Sequence, residues 1–514
     1  MADADGSWIA TPGSYQALAR DLCASDPRLR RPDKRLAYKG LRWDARECRV
    51  ILFEFTKSSD GLVPLTFTDP EELNLHILKR SKDPNRPQKA IYILENTNGR
   101  LVDILGSRFD IHPSMFLEYA RATQIPSYSK GHSSLLASTW ANRNHLWMNY
   151  RELILLPREV VGNYGPRCSR TGRDVGITRV SGAFDPVGLA HRKSVFWSKP
   201  RAAESGWDCI VICDPPVQGL GVSGDALDQG QVLPLPPNTL DGYVDFLPEN
   251  IQSQTRRGPP RTSLADDLSF YVSTHGSLLG LESPDTVALF VKKIVASHYT
   301  LQFDYFRRIL REVQRFMRKP SDFSKLDLAS VEANWSDIQT IERRLDKGRH
   351  DLEEILLQLG ASLEPPNPSQ ITSWQDVNAD FQLLYHRFIY LQQSAERVNA
   401  SITGLASIVG NRQAFKEQQL SQHTAEKSRG LTFIGLVFIP LAFVSSLFSM
   451  AEPYGPGGER FWLYFAISLP TAVSVMLAYY VFDLGYRADG SGWSISHLGT
   501  KVQLFQMGTD PLQV

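Results

Sequence analysis

GLTFIGLVFIPLAFVSSLFSMA (residues 430–451), EPYGPGGER (452–460) and FWLYFAISLPTAVSVMLAYYVF (461–482) decide how the rest of the 514-residue chain is read. The first and third runs are 22 residues each and hold no charge. About 20 apolar residues cross the hydrocarbon core of a bilayer as a helix. The middle run carries Pro453, Gly455, Pro456, Gly457 and Gly458, residues that punctuate turns. The pattern predicts a membrane hairpin, with spans at 430–451 and 461–482. The alternative, a buried helical hairpin in a soluble core, needs charge-free runs of a length soluble cores rarely hold.

A loop this short puts both long flanking segments on one side. Arg412, Lys416, Lys427 and Arg429 precede the hairpin and Arg487 follows it. Such an excess marks cytoplasmic flanks. The loop holds Glu452, Glu459 and Arg460. The expected topology is an integral membrane protein with two spans, both termini cytosolic and 452–460 external.

Upstream of the hairpin the text turns helical and periodic. Trp374, Val377, Phe381, Leu384, Phe388, Leu391, Ala395, Val398, Ile402, Leu405 and Val409 advance in steps of three and four. This is a heptad seam of the coiled-coil kind. No proline interrupts it before Pro440, so one helix can run from Trp374 to Phe448. At 1.5 Å per residue that is about 110 Å. Such a helix must pack on its own chain's earlier helices, on copies of itself, or on both. Arg412, Lys416, Gln418, Gln419 and Gln422 make the seam lapse. That stretch either meets water as an ordinary juxtamembrane helix or lines an aqueous passage. Two further helices are expected at Asp285–Lys319, stopped by Pro320, and Leu326–Leu359, stopped near Gly360.

The first 216 residues read differently. Cys48–Phe55, Lys89–Glu95, Lys193–Ser198 and Trp207–Cys213 are rich in aromatic and β-branched residues and read as strands. Helical spacing follows at Leu101, Ile104 and Leu105. The fold class expected is an α/β cytosolic domain, then long stalk helices, then a two-helix transmembrane hairpin. The expected segments are a polar tail (1–40), the α/β domain (41–216), a Pro/Gly-rich linker or insertion (217–265) and a helical region (266–370). The stalk helix (371–429), first span (430–451), external loop (452–460), second span (461–482) and C-terminal tail (483–514) complete the order. Gly219, Gly221 and Gly224 fit G-x-G-x-x-G, but Pro215 and Pro216 interrupt the strand before them and Pro234 and Pro236 follow. A dinucleotide loop needs a strand entering and a helix leaving.

Composition narrows the classes. Lys and Arg number 56 against 55 Asp and Glu, which gives nucleic acid no basic surface to expect. Five cysteines, Cys23, Cys48, Cys168, Cys209 and Cys213, have neither disulfide-framework nor zinc spacing and suit a reducing compartment. Asp3, Asp5 and Asp21 argue against a transit peptide, leaving insertion to the hairpin. No Walker loop, H-E-x-x-H or G-x-S-x-G occurs, so no enzyme, catalytic residue or cofactor is expected.

The first span carries Thr432, Gly435, Ala442, Ser445, Ser446 and Ser449 at spacings of three and four. Small and hydroxylated residues in membranes mediate helix packing or line a channel. Two helices per chain enclose no pore, so a channel would be an oligomer with one such helix per subunit at its axis. Glu452 and Glu459, repeated around a ring, would then draw cations to the outer mouth.

The chain resembles the CorA-type divalent metal-ion transporter superfamily, in its fungal CorA-like branch. Three stretches carry the resemblance: Phe438–Met450 after the long helix; Ile91–Glu95 followed by Leu105–Pro113; and Val195–Trp197 with Trp207–Pro216. It implies a homopentamer in membrane lipid, a stalk continuous with the first span, and Mg²⁺ or another divalent cation as transported ion. The family signature at the outer end of that span is Gly-Met-Asn. Here the aligned residues are Ser449, Met450 and Ala451, and Met450 alone matches. Mg²⁺ sheds its water reluctantly, so a filter meets the hydrated ion with oxygen acceptors. The Ala451 methyl has none, and Ser449 and Glu452 are the neighbouring substitutes. The resemblance therefore implies divalent-cation transport through a pore lined by Thr432, Gly435, Ala442, Ser445 and Ser449. The alternative is a non-conducting membrane scaffold or sensor that has lost the filter.

Overall fold

The computed structural model describes residues 14–25, 47–55, 63–82, 88–120, 144–156, 166–178, 187–200, 206–221, 232–235, 242–252, 258–280, 282–317, 328–371, 373–449 and 457–485. The chain divides into two compact units, Met1–Ala406 and Ser407–Val514.

The first unit is an α/β domain with long helices. In chain order it runs α1 (Ser14–Ser25), β1 (Arg49–Phe55), β2 (Leu65–Phe67), α2 (Pro70–Lys82), β3 (Lys89–Glu95), α3 (Gly99–Phe109), α4 (Ser114–Ala120) and β4 (His145–Leu155). There follow β5 (Arg167–Cys168), β6 (Val175–Thr178), β7 (Val187–Pro200), β8 (Trp207–Cys213), β9 (Gly219–Gly221), β10 (Val232–Pro234), α5 (Glu249–Gln252), α6 (Leu264–His275), α7 (Ala288–Met317) and α8 (Leu328–Gln358). The main sheet has the order β2-β1-β3-β8-β7-β4, with β6 also on β7. Its β3–β8 pair is parallel and its other pairs are antiparallel.

Strand side chains alternate between faces. Val50 and Leu52, Tyr92 and Leu94, and Ile210 and Ile212 turn one face toward α1–α4, where Leu73, Leu101, Leu105 and Phe116 complete a core. Every residue of β8 is buried, as a strand covered on both faces requires. The expected strands appear as β1, β3, β8 and the second half of a longer β7. β4 was not expected. Its sequence, HLWMNYRELIL, places Arg151 and Glu152 in the middle of a buried strand. The structure explains them: Arg151 meets Asp351 at 3.2 Å, and Glu152 accepts from Arg192 Nε at 2.7 Å. Buried charges persist when paired, and such pairing is invisible to a local hydrophobic pattern.

Within 217–265, expected as linker or insertion, β9 and β10 form a three-stranded sheet with β5, and Leu220 is fully buried. Gly219 and Gly221 belong to β9; Gly224 lies outside the described residues.

The helices follow the expected periods. α8 ends at Gln358, and Gly360 follows it with a φ of +64° that suits a residue without a Cβ. α9 runs Val377–Phe448, 72 residues in one helix with Pro440 inside it. Its seam from Val377 to Ile402 is buried within the first unit against that unit's own helices. Phe388 stands edge-on to Tyr299 of α7, with ring centroids 6.0 Å apart, and a Cβ on Gly348 of α8 would lie 2.7 Å from its ring.

The second unit contains the rest of α9 and α10 (Trp462–Gly485). Residues 411–424 of α9 are exposed throughout, Phe415 and Leu420 included.

Candidate functional site

Unlike the seam, the apolar ends of the second unit have few protein neighbours. Leu431, Ile434, Phe438, Ile439, Phe443 and Leu447 of α9 are exposed, as are Trp462, Phe465, Leu469, Val473 and Leu477 of α10. A monomer in water does not leave so large an apolar surface open. Among the described residues one helix, Trp462–Val481, is long and apolar enough to cross a membrane, and Ile434–Phe448 of α9 is a shorter apolar run. That helix lies within the second expected span, 461–482; the first expected span, 430–451, is likewise free of charge. Its last two residues, Met450 and Ala451, lie outside the described set.

The candidate pore residues separate into two groups. Thr432 and Gly435 line a groove of about 660 Å³ with Leu436, Ile439, Pro440 and Phe443 of α9 and Thr471 and Val475 of α10. Ala442, Ser445 and Ser446 do not line it and are exposed. Ser449 is exposed too, and its amide donates to the Ser445 carbonyl at 3.0 Å. Helical spacing puts residues 432, 435, 436, 439, 440 and 443 on one stripe and turns 445 away from it, whereas 442 adjoins the stripe at its edge and 446 continues it beyond 443. Thr432 Oγ1 donates to the Ser428 carbonyl at 2.9 Å, and Thr471 Oγ1 to the Ile467 carbonyl at 2.7 Å. Both hydroxyls are thus satisfied by their own helices. Among the described residues of the hairpin, Val444, Ser468 and Ala472 are buried, and Phe448 packs edge-on to Tyr464. Glu459 is exposed; Met450, Ala451 and Glu452 lie outside the described residues, as does Arg487.

The first unit has its own concentration of buried charge, which the sequence did not mark. Asp214, just past β8, accepts from Arg173 Nε at 2.7 Å and from the Lys193 amide at 2.8 Å. Arg173 Nη2 donates to the Tyr119 carbonyl at 2.6 Å. A second group gathers where β4, α6, α7 and the 242–263 segment meet. Tyr150, Glu152, Tyr243, Arg261, Asp267 and His298 line a cavity of about 20 Å³, room for one water molecule. Burial holds the His298 imidazole down to about 4, and so neutral near pH 7. Asp267 accepts from Tyr243 Oη at 2.8 Å and from the Arg261 amide at 2.6 Å. Burial nonetheless pushes its carboxyl up to about 6. Among the described residues no three His, Cys, Asp or Glu side chains form a group that could hold a metal ion. Cys209 and Cys213 are fully buried, and burial raises both thiols.

The Asp267 shift has a signed consequence. The folded carboxyl binds its proton more tightly than the unfolded one, so its contribution to stability is fully present below about pH 4 and is lost as pH rises to about 6. The size is on the order of 3 kcal/mol at 1.36 kcal/mol per pH unit. Asp267→Asn is expected to lose that dependence. Thermal unfolding of both proteins at pH 4.5 and pH 7 should show a smaller pH difference in the variant. An equal difference in both would refute the assignment.

The family model described as CorA-like Mg2+ transporter protein matches residues 282–487. That range takes in α7, α8, α9 and α10. No curated protein matches the sequence. Among solved structures, the complete structure of the CorA magnesium transporter from Methanocaldococcus jannaschii is similar at 12% identity. The match covers 87% of this chain and 98% of that one, with a TM-score of 0.32. A superposition this loose leaves the α/β domain to be described by its own strands and helices. Over residues 282–487, from its long helices to its apolar C-terminal helix, the chain is similar to the CorA-like Mg2+ transporter family.

Proposed function

We propose that the protein moves divalent metal cations, Mg²⁺ foremost, across a membrane through a homo-oligomeric channel, a pentamer by its family. The single observation that carries this reading is the family match over residues 282–487. The exposed apolar surface of α10 and of the end of α9 supports it, because lipid or further copies of the chain would cover that surface. In this reading 430–451 and 461–482 both cross, the termini are cytosolic, and Ala442, Ser445 and Ser449 are free to face the axis. Glu452 and Glu459 ring the outer mouth, where opposite charge raises the local cation concentration.

Ala451 favours a second reading. An alanine ring offers a hydrated Mg²⁺ no side-chain oxygen, and a chain that kept the architecture after losing the filter would serve as a membrane-anchored scaffold or sensor. One experiment separates the two. Purified protein in liposomes loaded with a Mg²⁺-sensitive dye is compared with Ala451→Asn, with Co²⁺, Ni²⁺ and Zn²⁺ as competitors. Transport predicts Mg²⁺ entry with the wild type, inhibited by at least one competitor. Silence from wild type with entry through Ala451→Asn would mean a pathway closed at its mouth. Silence from both, in an intact oligomer, would establish the scaffold.

A further inference from the structure

α8 packs on β4 and β6, and the junction holds more positive than negative charge. Arg151 of β4 lies opposite His191 of β7, and residues directly opposite on neighbouring strands share a face. The Arg151–Asp351 pair turns that face toward α8. Arg344 of α8 donates from Nη1 to Thr178 Oγ1 and from Nη2 to the Ile177 carbonyl, both neutral oxygens of β6. Lys347, three residues on, lies within electrostatic reach of Arg151, Asp351 and Asp174. The nearby carboxylates are taken: Asp351 by Arg151 at 3.2 Å, Asp174 by Arg167 at 3.1 Å and Asp214 by Arg173 at 2.7 Å. Glu118 and Glu354 gather further along the sheet with Lys193. Among the described residues neither Arg344 nor Lys347 has a carboxylate at ion-pair distance. Arg151 Nη1, on a side chain 3% exposed, has no hydrogen-bond partner among them either. Two glycines leave the guanidiniums their room: a Cβ on Gly176 would stand 3.2 Å from Arg344 Nη2, and one on Gly348 3.5 Å from Arg151 Nη1. Burial and then Arg151, Lys347, Arg173 and Arg344 push the His191 imidazole well below its ordinary pKa. Burial and Arg151 likewise bring Arg344 down to about 10.

From this imbalance we infer that the junction is a phosphate site, taking a free phosphate ion or the phosphate end of a small ester between Arg344, Lys347 and the Nη1 edge of Arg151. The site lies wholly in the first unit and does not depend on the transport reading. Charge selects the ligand. With Arg151, Arg167 and Arg173 each paired, the cations of Arg344 and Lys347 are left to balance. A phosphate monoester carries about −1.5 to −2 at pH 7, whereas chloride would leave one cation over. Buried charge is costly until it is paired, so an anion of that size relieves what the fold itself leaves. Shape points the same way. A guanidinium presents its N–H donors as a planar fork that fits two phosphate oxygens, and a lysine adds a point charge beside it. Arg344 and Lys347 are half-exposed, which gives the ligand a way in, while the buried Arg151 edge forms the floor.

The test is isothermal titration of the full-length, detergent-solubilised protein with inorganic phosphate, and separately with glycerol 3-phosphate, against chloride at equal ionic strength. We expect saturable binding of one phosphate group per chain, with a thermal midpoint raised by phosphate and not by chloride, as a ligand of the folded state requires. Tighter binding of the ester would make the ligand an esterified phosphate, and equal binding a free one. Lys347→Met and Arg344→Met should each weaken binding by about tenfold. Lys347 makes no hydrogen bond that its loss would break among the described residues, so its variant guards against a folding defect in Arg344→Met; circular dichroism of both checks that they are folded. Absence of binding in the wild type, or a chloride effect equal to that of phosphate, would overturn the site. So would binding that survives both substitutions, or that falls in Arg344→Met while Lys347→Met binds like wild type.

Discussion

Asp214→Ala is expected to destabilise the α/β domain by about 3–5 kcal/mol, the usual cost of stripping one partner from a buried ion pair. Asp214 and Arg173 are both almost fully buried. With the carboxylate gone, the Arg173 guanidinium keeps the Tyr119 carbonyl at 2.6 Å and loses the anion beside it. The Lys193 amide loses its acceptor at the same moment. Burial lowers the Arg173 pKa and the neighbouring Asp214 carboxylate raises it, for a net rise. Removing Asp214 takes away the carboxylate that does most to offset that desolvation. The double variant Arg173→Met, Asp214→Leu should recover much of the loss, since apolar replacements of similar volume often match a buried pair. Thermal unfolding of the detergent-solubilised protein, followed by near-ultraviolet circular dichroism, reads both effects. A midpoint for Asp214→Ala within a degree of wild type would show that the pair is not closed in solution.

Phe388→Ala is expected to cost about 3–5 kcal/mol, the range for deleting a buried aromatic ring. Phe388 sits where three helices of the first unit meet. It stands edge-on to Tyr299 of α7, near Phe303 at 6.3 Å, and over Gly348 of α8. The absence of a side chain at Gly348 lets α8 come within contact of the ring. Gly348→Leu should therefore force the helices apart and cost about 1–3 kcal/mol by overpacking. Limited proteolysis of α9 gives a second readout, because a loosened seam exposes its backbone. If Phe388→Ala unfolds and digests like wild type, the seam is not what secures α9 to α7 and α8.

The seam and the small residues of the first expected span differ in how much of their surroundings the sequence shows. From Val377 to Ile402 the seam periods predicted the buried stripe correctly, because burial on one face of a helix is what the 3.6-residue period encodes. The same periodic reasoning grouped Thr432, Gly435, Ala442, Ser445 and Ser449 on one face. In the structure Thr432 and Gly435 turn toward α10 while Ala442, Ser445 and Ser449 do not line that groove. Small residues carry too little hydrophobic contrast for a period to sort them, and where α10 lies relative to them is a tertiary fact.

The sequence by itself determined that two apolar, charge-free runs lie at 430–451 and 461–482, that a long seamed helix leads into the first of them, and that the N-terminal part mixes strands with helices. Each follows from local composition or a short period. The tertiary structure decided which strands pair and in what order, a matter of contacts distant in sequence. It decided that β4 is a core strand despite Arg151 and Glu152, whose partners Asp351 and Arg192 lie 200 and 40 residues further along the chain. It decided that the seam is buried on α7 and α8 of its own chain, where the heptads alone equally allowed other copies. And it decided that α9 and α10 leave a groove between them, because the space between two helices depends on the side chains of both.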